Sequence, residues 1–233
     1  VPASLPAGSV EVPARLPGLC AGCPHGHVFD VLRQRGLVVS GDIGCYSLGV
    51  LPPYRIMDTL VDMGASITMA HGMDAVLASE AGHDGERAHV AAVIGDSTFA
   101  HSGITGLLNA VWNKRTGLVV VLDNGTTAMT GAQENPLSGE RMGHENATHV
   151  DYALLCRALG MPDENVAVVD GNDRAAIAAT IDDLLAKPGM KLLAAVGLCV
   201  MEAKDLSKAG KLGEKKAWRA LELTVPACPG ARA

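Results

Sequence analysis

Two apolar, β-branched runs in this chain each end in an acidic residue, and that spacing suits a cation. Val90–Ile94 runs into Gly95-Asp96, and Leu118–Leu122 runs into Asp123-Asn124. Between them Ile104, Leu107, Leu108, Val111 and Trp112 keep the i, i+3, i+4, i+7, i+8 spacing of a helix. Strand, helix, strand puts both acids where strands give way to loops, the edge at which parallel sheets gather their ligands. Mg²⁺ wants six hard oxygens and usually takes one or two carboxylates, with phosphate and water filling the rest. Asp96 can give a carboxylate oxygen, Asn124 its amide oxygen and Thr126 a backbone carbonyl, which leaves places for a diphosphate and a water. A helix expected to begin near Ser102 would aim its N-terminal N–H groups at the same anion.

Sulfur makes the second constellation. Cys20 and Cys23 form a C-x-x-C beside Pro24, Cys45 follows an expected strand end, and Cys199 is expected late in the last strand. All four can meet on one side of a sheet. Four thiolates suit either Zn²⁺ or a [4Fe–4S] cluster, and spacing alone does not choose between them. Cys156 falls on the buried side of a helical pattern and reads as core. His25, His71, His101 and His144 lie in these motif regions, where an imidazole can serve as acid or base near neutrality. Of these, His25 and His101 are the candidate catalytic groups on the substrate side. Gly131-Ala132-Gln133 is a candidate border of the pocket.

The elements that must hold these groups alternate along the chain. Pro24 to Arg35 reads as a short helix ended by Gly36, and Leu37–Val39 as a strand running into Gly41–Cys45. Tyr46 to Asp62 carries a Pro-Pro break and little periodicity, so it reads as a functional loop or short helical pieces. Ile67 to Ala81 is a helix of small residues that permits close approach to a sheet. Thr126 to His149 is a long polar loop at the expected site. Tyr152–Leu159, closed by Gly160, is a helix. Asn165–Val169 is a strand, Asp173–Leu185 a helix capped by Asp173 or Asn172, and Lys191–Val200 a buried strand. The alternation gives an α/β fold, a three-layer αβα arrangement around a parallel sheet.

The 233 residues suffice for one large domain with appendages, and the scarcity of aromatics (3%) beside 48% hydrophobic residues suits buried parallel strands. A net charge of −6 without a basic tract argues against nucleic acid as a partner. No apolar run reaches the length of a membrane span and nothing reads as a signal peptide, so a cytoplasmic location is expected and a membrane association is not. Six cysteines without a secretory signal point to metal ligands or plain thiols. The first residue is Val1, and the chain reads as a piece of a longer polypeptide or a processed product.

Gly-Asp-Ser, an amphipathic helix and Asp-Asn closing an apolar strand resemble the thiamine diphosphate motif. The narrower run Asp123-Asn124-Gly125-Thr126-Thr127-Ala128-Met129-Thr130-Gly131 resembles the large subunit of indolepyruvate:ferredoxin oxidoreductase, within the 2-oxoacid:ferredoxin oxidoreductases. Leu19-Cys20-Ala21-Gly22-Cys23-Pro24-His25, Gly41-Asp42-Ile43-Gly44-Cys45 and Met63-Gly64-Ala65-Ser66-Ile67 agree with it, and the likeness covers about Leu19 to Asp205.

The resemblance implies the diphosphate-binding domain of a thiamine diphosphate fold. Gly95, Asp96, Ser97, Asn124 and Thr126 would hold cofactor and Mg²⁺, with the metal on Asp96, Asn124 and Thr126. Ile67, or else Met129, would prop the cofactor in its bent shape. It favours the [4Fe–4S] cluster over Zn²⁺, with Cys20, Cys23, Cys45 and Cys199 as ligands. The implied reaction is oxidative decarboxylation of a 2-oxo acid, indolepyruvate or another aryl pyruvate, to an acyl-CoA. Coenzyme A would take the acyl group and ferredoxin the electrons. The acid that activates the cofactor would come from a pyrimidine-binding domain elsewhere, and a second subunit would complete the enzyme. On this plan residues 1–18 are a linker, 19–205 the cofactor domain and 206–233 a tail towards a ferredoxin-like segment. Ala231 stands where that segment would have its second cysteine after Cys228, so no cluster is assigned there. The competing readings are a non-redox thiamine decarboxylase and a non-catalytic zinc-bearing module on the same fold.

Overall fold

The computed structural model describes residues 17–80, 89–142, 145–148, 150–210 and 212–213. The expected linker up to residue 16, His144, Cys228 and Ala231 lie outside the described residues.

The chain begins with α1 (His25–Gln34), β1 (Val38–Gly41), a 3-10 turn (Cys45–Val50), β2 (Thr59–Leu60), α2 (Ala65–Glu80) and β3 (Val90–Gly95). A continuous helical run follows, made of α3 (Asp96–Thr98), a π turn (Phe99–Gly103) and α4 (Ile104–Trp112). Next come β4 (Gly117–Asp123), a 3-10 turn (Ala128–Thr130), a small hairpin of β5 (Glu140–Arg141) and β6 (Glu145–Asn146), and α5 (Tyr152–Ala158). The chain continues through β7 (Val166–Asp170), α6 (Arg174–Leu185), β8 (Met190–Val196) and α7 (Val200–Lys208). The expected domain boundary at 205 therefore falls inside α7.

Six strands make one sheet in the order β2-β1-β3-β4-β8-β7, and each pairing is parallel. Every residue of β3 and β8 is buried, as a strand covered on both faces requires, and β7 at the edge is only half-buried. Successive side chains of a strand point to opposite faces. Ala91 and Val93 thus join the layer under α1 and α6, while Ala92 and Ile94 join the layer under α2, α4 and α5. Fully buried Phe29, Leu32, Ile177 and Ile181 fill the first layer, and Ile67, Leu107 and Cys156 the second. Each large apolar side chain removed from water in this way contributes roughly 2 kcal/mol. Asp173 caps α6 by accepting the Ala176 N–H at 2.9 Å, and Asp151 caps α5 through the Leu154 N–H at 2.8 Å.

The chain leaves β1 for β2 at the sheet edge and returns to β3 on the other side of β1. The loops after β1 and β3 consequently diverge, and a crevice opens at the C-terminal ends of these strands.

Three of the boundaries that differ from those expected bear on the site. β1 extends to Gly41, so Asp42 follows the strand directly. The helix after β3 starts at Asp96 and not near Ser102, because a π turn shifts the register and the 3.6-residue pattern is visible only from Ile104 onward. The last buried strand stops at Val196 and not Val200. Beyond it the chain folds over the end of β4. Gly197 donates to the Asp123 carbonyl at 2.8 Å, and Cys199 donates to the Asn124 carbonyl at 3.1 Å. Cys199 is thus the residue that opens α7, outside the strand.

Candidate functional site

Each strand that reaches the crevice ends in a carboxylate or amide whose job is legible from its partners. Asp42, fully buried, accepts the N–H groups of Ile43 (2.8 Å), Gly64 (2.9 Å) and Ser66 (3.2 Å) and so fastens the start of α2 to the end of β1. Gly64 adopts φ +94°, and a Cβ there would meet Ser102 Oγ, so only glycine fits this approach. Asp96 accepts the Ser97 N–H at 2.7 Å through Oδ1. Asp123 accepts the Gly125 N–H at 3.0 Å and the Tyr152 hydroxyl at 2.9 Å, which commits it to holding the loop that follows.

The loops after β1, β3 and β4 enclose a cavity of about 160 Å³. Gly95, Asp96, Ser97, Asn124, Thr126 and Met129 all line it, with Tyr46 across from them. The Tyr46 ring lies against the bare Cα of Gly95, where a Cβ would come within 2.5 Å of Cε1. Its hydroxyl donates to the Ile43 carbonyl at 2.9 Å and reaches Thr98 Oγ1 at 3.4 Å, and burial, with Asp42 nearby, raises its pKa. Asp96, Asn124 and Thr126 are each less than a tenth exposed, so three oxygen-bearing residues border one sheltered space. That is the donor chemistry Mg²⁺ selects.

The loop after β4 folds back on this cavity. Thr127 N–H donates to the Gln133 carbonyl at 2.8 Å, and Gly131 takes φ +119° to make the return. The loop then delivers Asn135, a residue the motifs did not mark. Its Oδ1 accepts the Leu137 N–H at 2.8 Å, which turns its Nδ2 towards Asp96 Oδ2 at 3.4 Å. An Asn followed by Pro136 in a polar loop reads as an ordinary turn, so only the tertiary fold reveals it.

Beside this lies a second cavity of about 470 Å³, walled by Cys20, Cys23, Cys45 and Cys199 together with His25 and Leu48. The C-x-x-C is a turn, closed by the Cys23 N–H on the Cys20 carbonyl at 3.0 Å with Gly22 at φ +79°. Gly197 presses on Pro24, where a Cβ would sit 2.7 Å from the proline's own Cβ, and this contact brings Cys199 up to the turn. Burial pushes the Cys23 thiol up to about 11; the His25 backbone N–H opposes that rise, while Cys199, Cys20 and Cys45 add to it. Burial also raises Cys45, with Cys199 and Cys20 adding to it. All four cysteines line this one cavity. Among the described residues, no three His, Cys, Asp or Glu side chains are grouped tightly enough to hold a single metal ion.

Other expected site residues lie elsewhere. Ile67 is buried in the core, its side chain against Gly103 and Gly106, and lines neither cavity. His101 is exposed on the π turn and also lines neither. His71 sits between helices, 3.3 Å from Asn109 Nδ2. His25 is buried at the start of α1, and burial lowers its pKa from 6.5 to about 4 against the pull of Asp123. Its Nε2 lies 3.5 Å from Asn124 Nδ2. Gly131 and Ala132 border the sulfur cavity.

A parallel α/β sheet with a cavity at the C-terminal ends of its strands defines the class of open α/β domains that bind their ligands at that edge. The chain belongs to the family of the thiamine pyrophosphate enzyme C-terminal TPP-binding domain, which matches residues 42–195. It is 41% identical over 198 residues to the indolepyruvate oxidoreductase subunit IorA of Thermococcus kodakarensis, covering 82% of this chain and 30% of that protein. The Pyrococcus horikoshii subunit of the same name is 37% identical over 230 residues, or 95% of this chain and 34% of that one. The chain thus spans about a third of the length of the curated relatives it matches. A solved 2-oxoglutarate:ferredoxin oxidoreductase from Magnetococcus marinus superposes with a TM-score of 0.65 at 18% identity, over 84% of this chain and 70% of that one, a likeness of fold.

Proposed function

We propose that this chain is the diphosphate-binding part of a thiamine diphosphate-dependent 2-oxo acid oxidoreductase. The substrate class is indolepyruvate or a related aryl pyruvate, the acyl acceptor coenzyme A and the electron acceptor ferredoxin. A pyrimidine-binding domain and a second subunit complete the enzyme, which works in the cytoplasm. Among the described residues no helix is long and apolar enough to cross a membrane. Residues 1–18 act as a linker to the rest of the polypeptide, 19–205 as the cofactor domain and the remainder as a tail. The observation that carries this reading is the meeting of a cavity bordered by Asp96, Asn124 and Thr126 and a four-thiol cavity at shared walls, Cys45, Asn124, Ala128 and Met129.

The donor set fits Mg²⁺ with a diphosphate. Asp96 gives one charge, Asn124 and Thr126 give neutral oxygens, and the backbone around Gly95 and Ser97 borders the anion. Asn135 steadies the Asp96 carboxylate, and Tyr46 keeps the Gly95 turn tight against water. Met129, at the border of both cavities, would support the cofactor ring. When bound, thiamine diphosphate supplies the nucleophilic carbon and the electron sink for loss of CO₂. Cys20, Cys23, Cys45 and Cys199 would hold a [4Fe–4S] cluster beside it. Four thiolates also suit a single Zn²⁺; the likeness to indolepyruvate oxidoreductase subunits supports the cluster.

The test is anaerobic purification of the full-length protein with its second subunit, followed by iron and sulfide assay and low-temperature EPR after reduction. Ferredoxin should be reduced only when indolepyruvate, coenzyme A and thiamine diphosphate are all present. A fully active protein with zinc and no iron would sink the oxidoreductase reading. Decarboxylation without ferredoxin reduction would leave the non-redox enzyme.

A further inference from the structure

Asn124 is held from the sulfur side at two points. Its backbone carbonyl accepts the Cys199 N–H at 3.1 Å, and its Nδ2 makes a buried 3.5 Å contact with Nε2 of His25. His25 begins α1 two residues beyond Cys23. An amide has two ends of opposite polarity. Here Oδ1 accepts the Thr126 N–H at 3.2 Å while Nδ2 faces His25. With Nδ2 as the donor, Nε2 must be the acceptor and the imidazole proton must sit on Nδ1. Turning the amide over would set Nδ2 against the Thr126 N–H, two donors facing each other. A buried imidazole whose Nε2 is used in this way has no free lone pair there for substrate chemistry.

We propose that His25 is a positioning residue: it holds the Asn124 amide with its oxygen on the cation side, and so makes the oxygen cavity depend on the cysteine turn that carries the histidine. The proposal rests on the assignment of Asn124 to Mg²⁺ given above. Residues one step removed from a metal orient its ligands, and their loss typically weakens metal binding about 10- to 100-fold.

The experiment is calorimetric titration of Mg²⁺ into the full-length protein with thiamine diphosphate present. His25→Leu removes the acceptor and should weaken Mg²⁺ binding about tenfold or more. His25→Gln offers Oε1 near the place of Nε2 and should restore the parent affinity. Iron and sulfide content should stay at the parent level in both. Equal affinity in His25→Leu and the parent overturns the proposal, and so does a His25→Gln variant as weak as His25→Leu. Should His25→Leu fail to fold, His25→Gln is compared with His25→Asn, whose shorter amide falls away from Asn124; equal affinities overturn the proposal. A parent that shows no Mg²⁺-dependent binding, or an Asp96→Ala variant that binds like the parent, removes the site assignment itself and the proposal with it.

Discussion

The oxygen cavity and the sulfur cavity share a wall but are built by opposite means. Around the first, every turn follows directly on a strand and is fastened by a buried acid: Asp42 to Ile43, Gly64 and Ser66, Asp96 to Ser97, and Asp123 to Gly125 and Tyr152. Around the second, the thiols come from the turn before α1, the 3-10 turn after β1 and the start of α7, and few bonds tie these pieces together. Mg²⁺ demands near-ideal octahedral geometry, so oxygens meant for it are best set in place beforehand. Thiolates bond to iron, so a cluster can draw its ligands together, and the protein need only surround the space. On the proposed reading the fold sets the oxygen-bearing residues in place, whereas the thiols would be drawn together by the cluster they hold.

The sharpest way to break that contrast is Asp96→Ala. It should abolish Mg²⁺-dependent binding of thiamine diphosphate in calorimetry while iron and sulfide stay at the parent level. Unchanged binding would show that the carboxylate is not the metal ligand. The converse is Cys45→Ala, which should lose or convert the cluster, read by iron content and EPR, while Mg²⁺ and cofactor still bind. If that variant loses both cofactors, the two cavities are one cooperative structure. A smaller effect tests the joint between them. The folded chain keeps His25 neutral down to about 4, whereas the unfolded chain protonates it near 6.5. Between those values the unfolded state binds the extra proton, so stability falls as pH drops through the window, by about 3 kcal/mol in all. Denaturant unfolding at stepped pH should show this slope, and His25→Gln should flatten it. Equal slopes in the two proteins would place the acid sensitivity elsewhere.

The strands that carry the oxygen-bearing residues were legible in the sequence because they are local. Val90–Gly95 and Gly117–Asp123 declare themselves as strands buried on both faces, and their terminal residues then fall at the edge where ligands gather. The start of the following helix was hidden by the π turn, which breaks the spacing that marks a helix. Cys199 was misplaced into a strand because Gly197-Leu198 continues an apolar run, and only the contact with Pro24 and the bonds to β4 turn it aside. Asn135 and the buried setting of His25 are products of packing between distant segments, which periodicity does not record. Ile67 shows the reverse case: a residue in a motif whose side chain is spent on the core.

One thiol stands apart from all of this. Cys156 is fully buried on α5, and burial, with Asp151 near, pushes it up to about 12. Alkylating agents react with the thiolate, so a thiol this shielded and this reluctant to ionise stays unlabelled for as long as α5 remains packed on the sheet. Its rate of modification is therefore a clock for opening of the domain's second layer, running independently of the four thiols at the rim.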